Sequence, residues 1–180
     1  MIDKLESRPF EPGNLCFLPY LSGERTPHNN PNAQGVFLGL KHEHGSLEIT
    51  QAVLEGVAYA FGDCQKVLLE AGAEIGEVSL IGGGSRSRLW GQILASVLNR
   101  PLNRHEGSEL GPAQGATRLA MLAAGQGSLE QICTRPKISE VLELQPSLVM
   151  NIRKNRRNTE KFIDPWKTSF SRFIQRWIVF

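Results

Sequence analysis

The sequence predicts an α/β fold, and two observations carry that prediction. From residue 46 to residue 124 the apolar pattern alternates helix, strand, helix, strand, helix, the order of parallel strands joined by right-handed crossovers. At the centre of this order a strand-like stretch, Val78–Ile81, runs directly into Gly82-Gly83-Gly84 and then into a helix. A strand–glycine–helix junction lets bare main chain, with its N–H groups, approach a flat or anionic ligand. It is also a tight turn, the commoner use of glycine, and the residues alone leave both readings open.

The elements follow in chain order. Residues 1–14 are polar and turn-rich, with Pro9, Pro12 and Gly13, and show no regular element. Leu15–Leu18 has the pattern of a short buried strand, and Gly35–Leu40 reads as a second extended piece. Between them, residues 22–34 form a loop dense in Pro, Gly and Asn. Its Glu24, Arg25 and His28 either meet a ligand or tie the loop down by hydrogen bonds. Ser46 is placed to cap a long helix, with Glu48 favourable in the first turn. Leu47, Leu54, Val57, Ala58, Phe61, Cys64 and Leu68 give that helix an apolar stripe, and Gly72 ends it. Gly56 and Gly62 inside it each cost about 1 kcal/mol relative to alanine, which close packing against another element would offset.

After the glycines, Ser85 is a candidate N-cap, and Arg86 and Arg88 add positive charge at the rim. Leu89, Trp90, Ile93, Leu94, Val97 and Leu98 share one helical face until Arg100-Pro101 stops the helix. Pro101–His105 is a short strand. Gly111-Pro112 opens the next helix with proline where no N–H is missed. Ala113, Gly115, Ala116, Ala120, Ala123 and Ala124 make that helix small-sided, suited to lying close against a sheet or another helix. Ser128 to Gln131 has capping-box spacing for a brief further helix. Two parallel strands do not make an independent sheet, so the pattern predicts part of a domain with an unpaired edge at Val78–Ile81.

Composition excludes several classes. With 41% hydrophobic and 21% charged residues the chain is globular in type, and no apolar run approaches the roughly 20 residues of a membrane span. Cys16, Cys64 and Cys133 are odd in number and far apart, which argues against a disulfide framework or zinc site and for reduced thiols in a cytoplasmic setting. Residues 1–15 lack a signal-sequence pattern. His42 and His44 sit beside a glycine turn, and no metal site is predicted. The net charge of +2 is uneven: residues 151–180 hold 8 basic and 2 acidic residues, leaving the rest mildly acidic. Phe162, Trp166, Phe170, Phe173, Ile174 and Trp177 fit an amphipathic helix starting at Asp164-Pro165, its basic side read as solvated and not as a nucleic-acid contact. The glycine loop is neither a dinucleotide fingerprint, since Ser87 stands where the last glycine belongs, nor a P-loop, since Gly-Lys-Ser/Thr is missing.

Several motifs, in order and at matching spacing, resemble the C-terminal portion of the FGGY carbohydrate kinases. Gly35 to Glu55, GVFLGLKHEHGSLEITQAVLE, matches the family's second signature, including Gly35, Phe37, Gly39, Leu40, Glu48 and Glu55. Phe17 to His28, FLPYLSGERTPH, is similar to the family's xylulokinase branch. Gly82-Gly83-Gly84-Ser85 corresponds to the adenosine motif, with Trp90 in its aromatic position, and Gly111 to Ala116 to the following Gly-Pro-Ala helix start.

The resemblance covers about residues 15–148 and implies an actin/hexokinase-like fold of two ribonuclease-H-like domains, with sugar and ATP in the cleft between them. This chain would be the later part of the second domain, between an irregular segment (1–14) and a basic tail (149–180). By the same resemblance, Gly82, Gly83, Gly84 and Ser85 pack against adenine and ribose, and Arg88, one turn on, faces the nucleotide. The catalytic aspartate and most of the sugar site would precede Met1. The implied activity is ATP-dependent phosphorylation of D-xylulose, with Mg2+, and the expectation for this chain alone is weak nucleotide binding without catalysis. The alternative from another class is an interaction module completed by a second chain. The open sheet edge is expected to make the isolated chain aggregate, self-associate or stay partly molten.

Overall fold

The computed structural model describes residues 2–145 and Val149, so the expected tail helix lies outside the described residues. The chain opens on a five-residue helix, α1 (Ile2–Glu6), where the sequence showed no element. It is too short for an apolar period, but its Leu5 is fully buried in the main core. β1 (Cys16–Leu18) and β2 (Val36–Leu38) pair antiparallel as a separate two-stranded sheet, with Phe17 opposite Phe37 and their ring centroids 4.6 Å apart.

The long helix α2 (Ser46–Glu70) begins one residue earlier than expected: Gly45 is the N-cap, and Ser46, the expected cap, is the first helical residue. Glu48 Oε2 accepts the Gly45 N–H at 2.9 Å, so the acid in the first turn does the capping. The expected apolar stripe is realised in part: Leu47, Leu54 and Ala58 pack in or against the main core. Phe61 and Leu68 are exposed, and the buried face is Gln51, Ala52, Glu55, Gly56, Ala58, Tyr59 and Gly62. The cause is close packing: α2 lies against β1 so tightly that a Cβ on Gly56 would stand 2.2 Å from the Phe17 carbonyl oxygen. Small and polar residues therefore line this face, and a count of large apolar side chains misses it.

β3 (Val78–Leu80) leads to α3 (Arg88–Leu98) and then β4 (Leu102–His105), which pairs parallel with β3 as the crossover rule requires. A further strand, β5 (Ile138–Leu142), adds antiparallel to the far side of β4, giving the order β3-β4-β5. The sequence reading missed it, since only Leu142 of its five residues is buried. β3 stays at an edge, as expected. Leu80, Leu102 and Leu142 on one face pack with Leu89, Ile93 and Leu94 of α3 and with Ala58 of α2.

α4 (Pro112–Ala123) starts at the expected proline, and α5 (Leu129–Ile132) carries the expected capping box. The close packing foreseen for α4 is not realised, as none of its residues is buried and its main neighbour is α5. No helix among the described residues is long and apolar enough to cross a membrane.

Candidate functional site

β3 delivers the chain to Gly82, whose φ of +85° lies in the region that favours glycine. The Gly82 N–H donates to the Ser108 carbonyl at 2.8 Å. One 3-10 turn, Gly83–Arg86, then intervenes before α3. That extra turn moves the cap. Ser87, not Ser85, is the N-cap of α3, and its Oγ accepts the Trp90 N–H at 3.1 Å. Ser85 instead points inward, 1% exposed, and accepts a hydrogen bond from Ser108 Oγ at 3.1 Å. The loop is thus fastened at both ends to the segment that follows β4.

α1 closes the other side. Glu6 Oε1 accepts from Ser87 Oγ at 2.7 Å and from the Leu89 N–H at 3.3 Å, placing a carboxylate at the positive end of α3. Between α1, α2 and the loop lies a cavity of about 350 Å³. Its apolar wall is Trp90 and Leu54, its bare main chain is Gly83 and Gly84, and its charged lining is Arg86 with Asp3 and Glu6 of α1. A Cβ on Gly84 would sit 3.0 Å from the Trp90 indole nitrogen, whereas one on Gly83 would meet nothing within 4 Å. Few polar groups on an apolar recess of this size suit a small planar ligand with a charged appendage.

Of the residues expected to meet a ligand, the structure brings Gly83 and Gly84 to the cavity, while Gly82 and Ser85 support the loop behind it. Arg88 is not at the cavity, because its Nε pairs with Glu140 Oε1 on β5 at 3.1 Å. Arg86 lines the cavity. The sequence offered no sign of Leu54, Asp3 or Glu6, which lie tens of residues away and reach the loop only through tertiary packing.

Two other clusters are structural. In the loop after β1, His28 Nε2 lies 3.0 Å from the Tyr20 hydroxyl, and burial pushes that phenol above its ordinary range. Glu24 Oε1 accepts the Thr26 N–H at 2.9 Å, and the main chains of Glu24 and Asn30 exchange hydrogen bonds. These bonds tie the loop down. On α2, Glu55 Oε1 accepts from the Gly13 N–H at 2.9 Å and from Gln51 Nε2 at 2.8 Å, while burial pushes its carboxyl up to about 7. Together with Gln51 Nε2, which donates to the Glu11 carbonyl at 2.6 Å, this acid pins residues 11–13 to the helix. Among the described residues no three His, Cys, Asp or Glu side chains are grouped to hold a metal.

Comparison with known proteins gives a consistent picture. Residues 3–124 match the model of the FGGY family of carbohydrate kinases, C-terminal domain. Xylulose kinase of Escherichia coli strain K12 is 56% identical over 110 residues, 61% of this chain and 23% of that protein. Xylulose kinase of Bacillus subtilis strain 168 is 30% identical over 154 residues, 86% of this chain and 30% of that protein. The crystal structure of a xyloylose kinase from Brucella ovis superposes with a TM-score of 0.78 at 38% identity, over 93% of this chain and 35% of that one. The chain spans about a quarter of the length of the curated relatives it matches.

Proposed function

The chain belongs to the FGGY family of carbohydrate kinases, with the actin/hexokinase-like fold of that family, and from this premise we propose that it is the adenosine-binding part of a xylulokinase-like enzyme. In the complete kinase the reaction is ATP-dependent phosphorylation of D-xylulose to D-xylulose 5-phosphate. The observation that carries this reading is the cavity beside the glycine loop. Gly83 and Gly84 admit the base to bare main chain, Trp90 and Leu54 give it an apolar wall, and Arg86 stands at the rim where phosphate charge would emerge. Gly82 and Ser85 hold the loop, whereas Arg88, expected to face the nucleotide, pairs with Glu140 on β5 away from the cavity.

Phosphoryl transfer needs sugar hydroxyl, metal-bound phosphates and a base together in one closed cleft. The parts that hold Mg2+ and D-xylulose are assigned to the sequence that the longer relatives have beyond this chain's span. This chain alone therefore binds adenine nucleotide weakly and does not turn it over. ATP should shift the amide signals of Gly83 to Ser85 and the Trp90 indole signal, with millimolar affinity, and Gly83→Val should abolish the shifts. Gly83 is the better site for this test than Gly84, because its new side chain enters the open cavity without displacing Trp90. D-Xylulose should cause no ADP release. Unmoved loop signals in saturating ATP, or tight binding indifferent to Gly83→Val, would refute the assignment.

A second reading, an interaction module completed by another chain, is favoured by the β3 edge and by α4, which buries no residue. The two readings are compatible where the completing chain supplies the rest of a kinase.

A further inference from the structure

Three successive glycines-and-turn residues make the loop at residues 82–86 the part of the site with the most backbone freedom to lose, so something outside it must hold its shape. Hydrogen bonds from the segment after β4 fix its start, at Gly82, and its buried Ser85 hydroxyl. The Ser85 carbonyl has a different partner: Arg104 Nη1, on β4, donates to it at 3.3 Å. Arg104 is in turn held by the residue directly across the strand pair, Glu140 on β5, at 2.5 Å between Nη2 and Oε2. That contact is an ion pair by distance and lacks hydrogen-bond alignment at Oε2. The second oxygen of Glu140 takes Arg88 at 3.1 Å, the first residue of α3. The Glu140 and Arg104 side chains are 23% and 29% exposed, so the pair is partly screened from solvent, unlike Arg88 at 70%.

We infer that Glu140 is a positioning residue for the glycine loop, acting through Arg104 on the Ser85 carbonyl, and that it keeps Arg88 on the β5 side so that Arg86 alone of the three arginines lines the cavity. The carboxylate does two things at once. It orients the Arg104 guanidinium so that Nη1 faces the carbonyl that ends the bare main chain. It also balances one of the two positive charges that would otherwise flank the start of α3. Loop shape is thereby set by a strand, β5, that contributes nothing to the cavity wall.

The inference rests on the nucleotide reading of the loop, and the test separates the two. Amide spectra of the full chain, free and titrated with ATP, are compared for wild type, Glu140→Gln, Arg104→Ala and the double variant. Glu140→Gln keeps size and loses charge. It should move the free-state signals of Gly83, Gly84 and Ser85 and weaken ATP binding about three- to tenfold. Its melting temperature should stay near that of wild type, as expected for a partly exposed pair. Arg104→Ala should reproduce the free-state loop shifts, the double variant should add nothing further to those shifts, and Glu140→Asp should restore part of the affinity. If wild type shows no ATP response, the nucleotide reading falls, and the free-state signals still decide the role of Glu140. Free-state loop signals that ignore Glu140→Gln and Arg104→Ala, or loop shifts that add in the double variant, overturn the inference. Should Glu140→Gln fail to fold, Arg104→Lys supplies the same comparison from the other partner.

Discussion

On one face of the β3-β4-β5 sheet, Leu80, Leu102 and Leu142 are sealed beneath α3, at 9%, 1% and 1% exposure. On the other, Val141 and Ile81, just past β3, stand 44% and 62% exposed, and α4 offers no buried residue at all. The strands are the same, so the difference lies in what covers each face. α3 has an apolar stripe and a capped start, and its partners Ala58, Leu5 and the sheet all come from this chain. α4 has equally good local signals, a proline at its first position and a run of alanines, and forms a helix. Local propensity makes a helix, whereas its placement needs a partner surface.

The sharpest way to probe this contrast is to shorten one side chain on each face. Leu102→Ala, in the main core, should cost about 2–5 kcal/mol through lost burial and the cavity left behind. Val141→Ala, only one strand away, should change stability by no more than about 0.5 kcal/mol. Urea midpoints of the two variants measure both, and similar losses would mean that the two faces are not distinct in solution.

Among the described residues one acid, Glu55, is buried, and it makes stability depend on pH. Burial raises the folded-state pKa of Glu55 to about 7 from an ordinary 4.5. The native chain therefore keeps a proton that the unfolded chain gives up between those two values. The protonated native form is fully favoured below pH 4.5, and this contribution is lost as pH rises through 7. The loss amounts to roughly 3 kcal/mol at about 1.4 kcal/mol per pK unit. Both hydrogen bonds fall on Oε1, so Glu55→Gln can retain them while removing the titration. The variant should show a flatter denaturation midpoint across this range, and a slope equal to that of wild type would assign the pH dependence elsewhere.

What the sequence disclosed divides along the same line. α3, β3, β4, the start of α4 and the glycine loop were legible because each is written in consecutive residues: a glycine run, a proline, an apolar stripe. α1 and β5 were not, being five residues each with one buried side chain, Leu5 and Leu142. The face of α2 was legible in part: Leu47, Leu54 and Ala58 lie at the core as expected, while Gly56 and Ala52, too small to stand out in an apolar stripe, pack against β1. At the site, Gly83 and Gly84 could be picked out. The choice between Arg86 and Arg88 could not, because it is made by Glu140, more than fifty residues downstream, and only the sheet register brings that acid close.

The smallest stability effect should come from the exposed side, where association rather than folding is at stake. An edge strand with free N–H and C=O groups beside apolar surface is a template for a further strand, and lysine on such an edge guards against pairing. Ile81 is exposed, lies immediately after β3 and does not line the cavity. Ile81→Lys should therefore leave the denaturation midpoint within about 0.5 kcal/mol of wild type. It should also shift sedimentation from self-associated species toward monomer. Under the second reading, a polypeptide carrying the sequence that the longer relatives have beyond this chain's span should do the same to wild type, by pairing with β3. It should also raise the melting temperature, since it binds only the folded chain. A wild-type chain that sediments as a monomer and melts in one sharp two-state transition would show that this edge needs no partner, and the second reading would fail.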